Sequence, residues 1–163
     1  MAATVQIHEM SALAAGTDKT SGTVRFKLAD NATVDTNNRM VIPAAGTDYS
    51  FTKQLRVNVT VAPSTDLQDL EAYSDGASGF GTGVGVEYDV AGTFATQIDT
   101  TITGTDLFTK TSAAVIDLDA VNTGPHTGTG YKGDLLRLQM TVASTASPGT
   151  LTAETLTVAY TET

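Results

Sequence analysis

The chain has 163 residues, a formal net charge of −9, nine Lys and Arg residues, and neither cysteine nor tryptophan. Its length fits a single domain over residues 1–163, the lack of cysteine excludes disulfides and thiolate-bound metal, and the scattered cations predict that neither nucleic acid nor an anionic membrane is a partner. No stretch approaches the length of an apolar membrane span, and Met1 to Met10 lacks the basic start of a secretory signal, so we expect synthesis and folding in the host cytoplasm.

Alternation of apolar and polar residues, which is typical of strands buried on one face, begins close to the N-terminus. Thr4 to Met10 predicts a short first strand or an extended arm, and residues 1–22 as a whole are a candidate arm and loop. Thr23 to Leu28 predicts a strand with Val24, Phe26 and Leu28 facing inward. Met40 to Ile42 is a brief apolar stretch that Pro43 ends or confines to a sheet edge.

The longest alternating run predicts a strand from Tyr49 to Val61, with apolar residues at nearly every odd position. Leu67 to Tyr73 is short and ends at a turn signal, which favours a strand over a helical turn. Gly79 to Val90 begins with a row of glycines and predicts a loop that leads into a strand.

The C-terminal part follows the same pattern. Ala114 to Ala120 alternates, Asn122 to Gly133 predicts a loop, and the last two strands are predicted at Asp134 to Ala143 and about Ala153 to Thr161. Eight or nine short strands without a helix predict an all-β, single-domain antiparallel β-sandwich, for which a jelly roll is the expected wiring.

Few residues could take part in catalysis or bind a metal ion. His8 and His126 are the only histidines, and neither lies in a recognisable catalytic motif, so we expect a protein that is not an enzyme and has no cofactor. Asp117 and Asp119 share one face of a predicted strand, where they would hold Ca²⁺ or, alternatively, keep an exposed edge solvated.

Three stretches carry a family resemblance. They are Thr23 to Thr36 leading to Tyr49 to Arg56, then Leu70 to Gly76, and finally Leu135 to Thr163. Together they resemble the small structural proteins encoded among the virion genes of tailed bacteriophages, many of which are jelly-roll capsid decoration, or cement, proteins. The resemblance implies a homotrimer on the virion, at the capsid exterior, that binds the major capsid protein and braces the head.

Contacts with such a partner are expected from the N-terminal arm and from the loops at 74–85 and 122–133, because loops at the ends of a sandwich face outward. The arm is expected to be removable, as residues 1–20, without loss of the fold. The candidate contact residues are Val5, Ile7, His8, Phe80, His126 and Tyr131.

Two rival functions remain open. A carbohydrate-binding β-sandwich would need an aromatic sugar platform, for which Tyr73, Phe80, Tyr88 and Tyr131 are available. A tail-tube or head–tail completion protein would form rings or tubes.

Overall fold

A computed structural model describes residues 2–11, 15–30 and 37–163, and these residues form ten strands and one short 3₁₀ helix, Leu107–Thr109. The strands are β1 (Thr4–Ser11), β2 (Ala15–Asp18), β3 (Thr47–Tyr49), β4 (Lys53–Val61), β5 (Leu67–Tyr73), β6 (Val84–Ala91), β7 (Thr105–Asp106), β8 (Ile116–Asp117), β9 (Gly130–Ala143) and β10 (Thr157–Glu162).

The strands form two antiparallel sheets of unequal width. The large sheet has the order β2-β1-β4-β9-β6-β7, with β3 paired to β9 beyond the end of β4, and the small sheet has the order β10-β5-β8. The predicted all-β sandwich is confirmed, while its finer wiring as a jelly roll stays a prediction.

The core forms where alternate residues of both sheets meet, as the strand period requires. From the large sheet come Leu55, Val57, Val59, Leu136, Leu138, Met140 and Val142, and from the small sheet come Leu67, Leu70, Ala72 and Ile116. The prediction that the apolar odd-numbered residues of the long alternating run face inward is confirmed for Leu55, Val57 and Val59, whereas Val61 is 37% exposed.

The strand predicted from Thr23 to Leu28 is wrong, because these residues form no strand, although Val24 and Phe26 still pack against the core. The apolar stretch Met40 to Ile42, which was expected to end at Pro43 or to lie at a sheet edge, forms no strand either, and Met40 and Ile42 also pack against the core. The alternation correctly predicted which side chains face inward, but a strand also requires a neighbouring backbone along its length. Among the described residues, backbone hydrogen bonds of these two segments are confined to Lys27 and Leu28.

The long strand predicted from Tyr49 is interrupted at residues 50–52. Ser50 N–H donates to the Met140 carbonyl at 3.0 Å, but the Thr52 amide turns to the opposite side and donates to the Ile98 carbonyl at 2.8 Å. Two separate strands, β3 and β4, therefore lie where one was predicted.

The N-terminal residues belong to the large sheet, so the arm predicted for residues 1–22 is wrong and the alternative of a first strand is confirmed. β1 pairs along its whole length with β4, and β2, in a region predicted to be a loop, pairs with β1. Deleting residues 1–20 would remove two strands, so the predicted tolerance of that deletion is not supported.

Candidate partner-binding surfaces

The outer face of the large sheet is half covered by an irregular segment, residues 92–104, which buried amide side chains hold in place. Gln139 is fully buried; its Nε2 donates to the carbonyls of Ser50 and Thr100, and its Oε1 accepts from Ile102 N–H. Gln54, also fully buried, exchanges hydrogen bonds with the backbone of Ala95. Because these groups have backbone partners, their burial stabilises one fixed path of the segment.

The uncovered half of this outer face carries a polar network around two of the predicted contact residues. His8 Nδ1 lies 3.1 Å from Tyr131 Oη, and the two rings meet edge to face. Tyr131 Oη accepts from Gly16 N–H at 3.0 Å, and His8 Nε2 lies 3.0 Å from Gln6 Oε1. Gln6 in turn donates to Asp18. The network joins β1, β2 and β9 across the sheet.

The Asp18 carboxylate ends this network. Hydrogen bonds from the hydroxyl and N–H groups of Thr20 hold the pKa of Asp18 below its usual value. The carboxylate therefore fixes the turn through which the chain leaves β2.

The loop before β9 is fastened by two carboxylates. Asp134 is fully buried and accepts from the N–H groups of Val121 and Asn122, each at 2.8 Å. Asp119 Oδ1 lies 2.7 Å from His126 Nε2, while its Oδ2 accepts from Leu70 N–H at 3.1 Å. His126, predicted to contact a partner, thus holds the loop against the small sheet.

Arg56 supports the beginning of β9 from the outer face. Its guanidinium donates twice to the carbonyl of Gly133, at 3.1 and 2.8 Å. Gly133 has φ +61°, and a β-carbon there would lie 2.7 Å from the Leu118 carbonyl, so no other residue fits without strain. Burial lowers the pKa of Arg56, and the nearby Asp134 charge opposes that shift.

The two calcium candidates are engaged with the protein. Asp117 is exposed and its Oδ1 accepts from Asp119 N–H at 2.7 Å, whereas both oxygens of Asp119 already have partners. Within the described ranges, His, Asp and Glu form no group of three or more that could hold a metal ion. Calcium binding at this pair stays a prediction.

A cavity lies between the sheets, and residues of both sheets line it. This groove has a volume of about 1200 Å³. Its floor consists of apolar residues of β4, β6 and β9, and its walls consist of the irregular stretches 19–27, 39–42 and 146–156. The inward residues of those walls include Val24, Phe26, Met40, Ile42 and Leu156.

Buried charges lie beside the groove. Glu9, on the inner face of β1, lies 3.1 Å from Lys53 Nζ and 3.3 Å from Lys19 Nζ. Glu9 Oε2, the oxygen near Lys19, forms no aligned hydrogen bond, so that second contact is chiefly electrostatic. Lys19 lines the groove, which places this ion cluster at its end.

The predicted contact residues therefore lie in different places. Val5 and Ile7 face inward and pack against the core, and Ile7 also lines the groove. Phe80 lines the groove and packs edge to face on Phe108, with 5.7 Å between ring centroids. The structure brings together only His8 and Tyr131.

The four aromatic residues available for a sugar platform are also dispersed. Tyr131 lies on the outer face of the large sheet, Phe80 lines the groove, Tyr88 packs against the core and Tyr73 lies in the small sheet. They do not form one flat surface.

Neither the groove nor the burial of the two glutamines has a direct signal in the sequence. Gln54 and Gln139 stand at positions that alternation assigns to solvent, because the segment that covers them is distant in sequence. The available signal was indirect: Pro43 ends the apolar stretch Met40 to Ile42 or confines it to a sheet edge.

Comparison with protein-family models, with curated proteins and with solved structures gives no match for this chain. Within the described ranges there is no helix of the length and apolar character that crossing a membrane requires.

Proposed function

We propose that the chain is a non-enzymatic structural protein of a tailed-bacteriophage virion. In this proposal it is a capsid decoration protein, located on the outside of the head, that binds the major capsid protein and stabilises the shell. The three stretches that resemble virion proteins of tailed phages support this family, and the two-sheet architecture is compatible with it.

The observation that carries the proposal is how the buried polar side chains are used. Gln54, Gln139 and Asp134, all fully buried, bind backbone groups of irregular segments. In an enzyme, buried polar groups of this kind would be directed toward a substrate. In this chain they hold loops in place. Such a distribution stiffens surfaces, and a rigid surface binds a partner with a smaller loss of conformational entropy.

Exposed apolar side chains at the groove support a role in binding. Val41 is 54% exposed and Leu151 is 38% exposed, and both line the groove. Repeated over a symmetric shell, such contacts add through multivalency, so modest individual contacts suffice to brace the head. A homotrimer would match three-fold positions of the lattice, and mass photometry of the purified chain measures that state directly.

The test is reconstitution on heads of the tailed phage that carries the gene, purified without this protein. We expect the chain to co-sediment with heads at a saturating, fixed ratio and to raise the temperature at which they release DNA. Heads that bind no protein, or that bind it without any gain in heat resistance, would contradict the proposal.

A further inference from the structure

Two wall segments of the groove have the side-chain pattern of strands but lack strand partners. In residues 23–26 and 39–42, Val24, Phe26, Met40 and Ile42 point inward and are half-buried, while Arg25 and Arg39 are exposed. Across the described part of the chain, the backbone groups of these eight residues form no hydrogen bond. Backbone pairing resumes directly beyond them, where Phe51 N–H donates to the Lys27 carbonyl at 3.0 Å and Leu28 N–H donates to the Asn38 carbonyl at 2.8 Å.

Extended backbone without partners is equivalent to an open sheet edge, and it can pair with an added strand. Here the open edges border an apolar space of about 1200 Å³. That volume exceeds the range of roughly 300 to 1000 Å³ that is usual for small-molecule sites. A polypeptide strand suits both features, because its backbone pairs with the edge while alternate side chains fill the groove.

The charge around the groove indicates the chemistry of that strand. Of the chain's nine Lys and Arg residues, Lys19, Arg25, Lys27 and Arg39 line the groove, whereas Glu154 is the only acidic residue in the described lining. Lys19 is paired with Glu9 and Lys27 is buried, so the exposed positive charge of the groove comes from Arg25 and Arg39. Glu154 already accepts a hydrogen bond from Gly79 N–H at 2.8 Å. In a chain of net charge −9, this is a local reversal of sign, and it favours an acidic partner.

We infer that the groove binds an extended segment of a partner polypeptide in which apolar residues alternate with Asp or Glu. The identification of the partner as the capsid shell rests on the proposed function. The inference about which peptide chemistry the groove binds does not depend on that function. A second copy of this chain is disfavoured as the occupant. Its own apolar and acidic alternations, Val86 to Val90 and Ile116 to Asp119, are held in the two sheets, where Val86 is 2% exposed and Ile116 and Leu118 are each 3% exposed.

The probe is a capped peptide of about nine residues that alternates valine and glutamate, compared with the same peptide carrying lysine for glutamate. Fluorescence anisotropy measures affinity, and hydrogen exchange locates the protected amides. We expect saturable binding of the glutamate peptide, about tenfold tighter than the lysine peptide, with protection at residues 23–26 or 39–42.

Charge reversal sharpens the test. The double substitution Arg25→Glu and Arg39→Glu changes exposed side chains without hydrogen-bond or ion-pair partners among the described residues, and it should reverse the preference between the peptides. Lys132→Glu lies outside the groove lining and should leave the preference unchanged. If the double variant fails to fold by circular dichroism, Arg25→Gln with Arg39→Gln should abolish the preference instead.

Several results would overturn the inference: equal affinity for both peptides, no saturable binding, or protection elsewhere. So would protection of the two segments that rises with protein concentration alone, which would identify a second copy as the occupant. Peptide binding without binding to heads would reject the proposed function and leave the groove assignment standing. Decoration of heads that is unaffected by the double reversal would reject the groove assignment only.

Discussion

The two halves of the space between the sheets differ in what opposes the large sheet. In the closed half, Leu67, Leu70 and Ala72 of the small sheet cover Val57 and Val59, and all five are at most 1% exposed. In the groove half, the floor of β6 and β9 faces walls without regular pairing and a cavity of about 1200 Å³. The floor residues Leu138, Met140 and Val142 are still buried, at 3 to 5% exposure, so the two halves differ in the regularity of the opposing wall and in the cavity beside it.

The largest expected effect is in the closed half. Leu70→Ala should lower the free energy of unfolding by about 4 kcal/mol, because the cavity that the substitution would create is surrounded by fully packed side chains. Ile42→Ala, at the groove, should cost only about 1 kcal/mol, since Ile42 is half-buried. Denaturant unfolding measures both, and equal losses would contradict the distinction between the halves.

The floor of the groove should depend on its support from the outer face. Gln139 lies between the groove residues Leu138 and Met140, and Gln139→Leu would leave three backbone groups without partners. We expect this substitution to lower the free energy of unfolding by about 3 kcal/mol and to speed hydrogen exchange at residues 92–104.

A matched control for Gln139 is Gln68→Leu. Gln68 is half-buried and its Nε2 donates to the carboxylate of Asp66, which is also half-buried, so this change should lower the free energy of unfolding by about 0.5 kcal/mol. A neutral effect of Gln139→Leu would show that the outer segment is not held by that side chain.

How far the sequence predicts the structure can be judged from these same residues. Strands β4, β5 and β9 were predicted because both their alternation and their pairing hold within the chain. The segment 23–28 shows the limit, since alternation determines inward side chains but pairing depends on a distant backbone. His8 and Tyr131 were each predicted as contact residues, yet their mutual contact spans 123 positions and has no local signal.

Enlarging a side chain tests the two halves in the opposite direction. Ala72→Leu should cost about 2 kcal/mol, because Ala72 is fully buried in a packed layer. Ala146→Leu points an equally enlarged side chain into the groove lining and should be neutral or slightly stabilising. Thermal unfolding of the two variants measures the difference. A comparable loss of stability in both would mean that the groove is already full.

The smallest effect concerns the start of the groove wall. The pKa of Asp18 is lowered in the folded chain, so its contribution to stability is present above the usual Asp pKa and is lost as pH falls through the lowered value. We expect the Thr20 amide resonance to titrate at acidic pH, below the ordinary range for Asp. The resonance should be insensitive to pH in Asp18→Asn, and an unchanged titration in that variant would assign the effect to another group.

The central claim is that this chain acts by binding another polypeptide in its groove, and a cryo-EM map of the chain on phage heads tests it most directly. The account predicts density for an added strand beside residues 23–26 or 39–42, with side chains entering the groove. Undecorated heads, or a chain bound through another face with the groove empty, would contradict it.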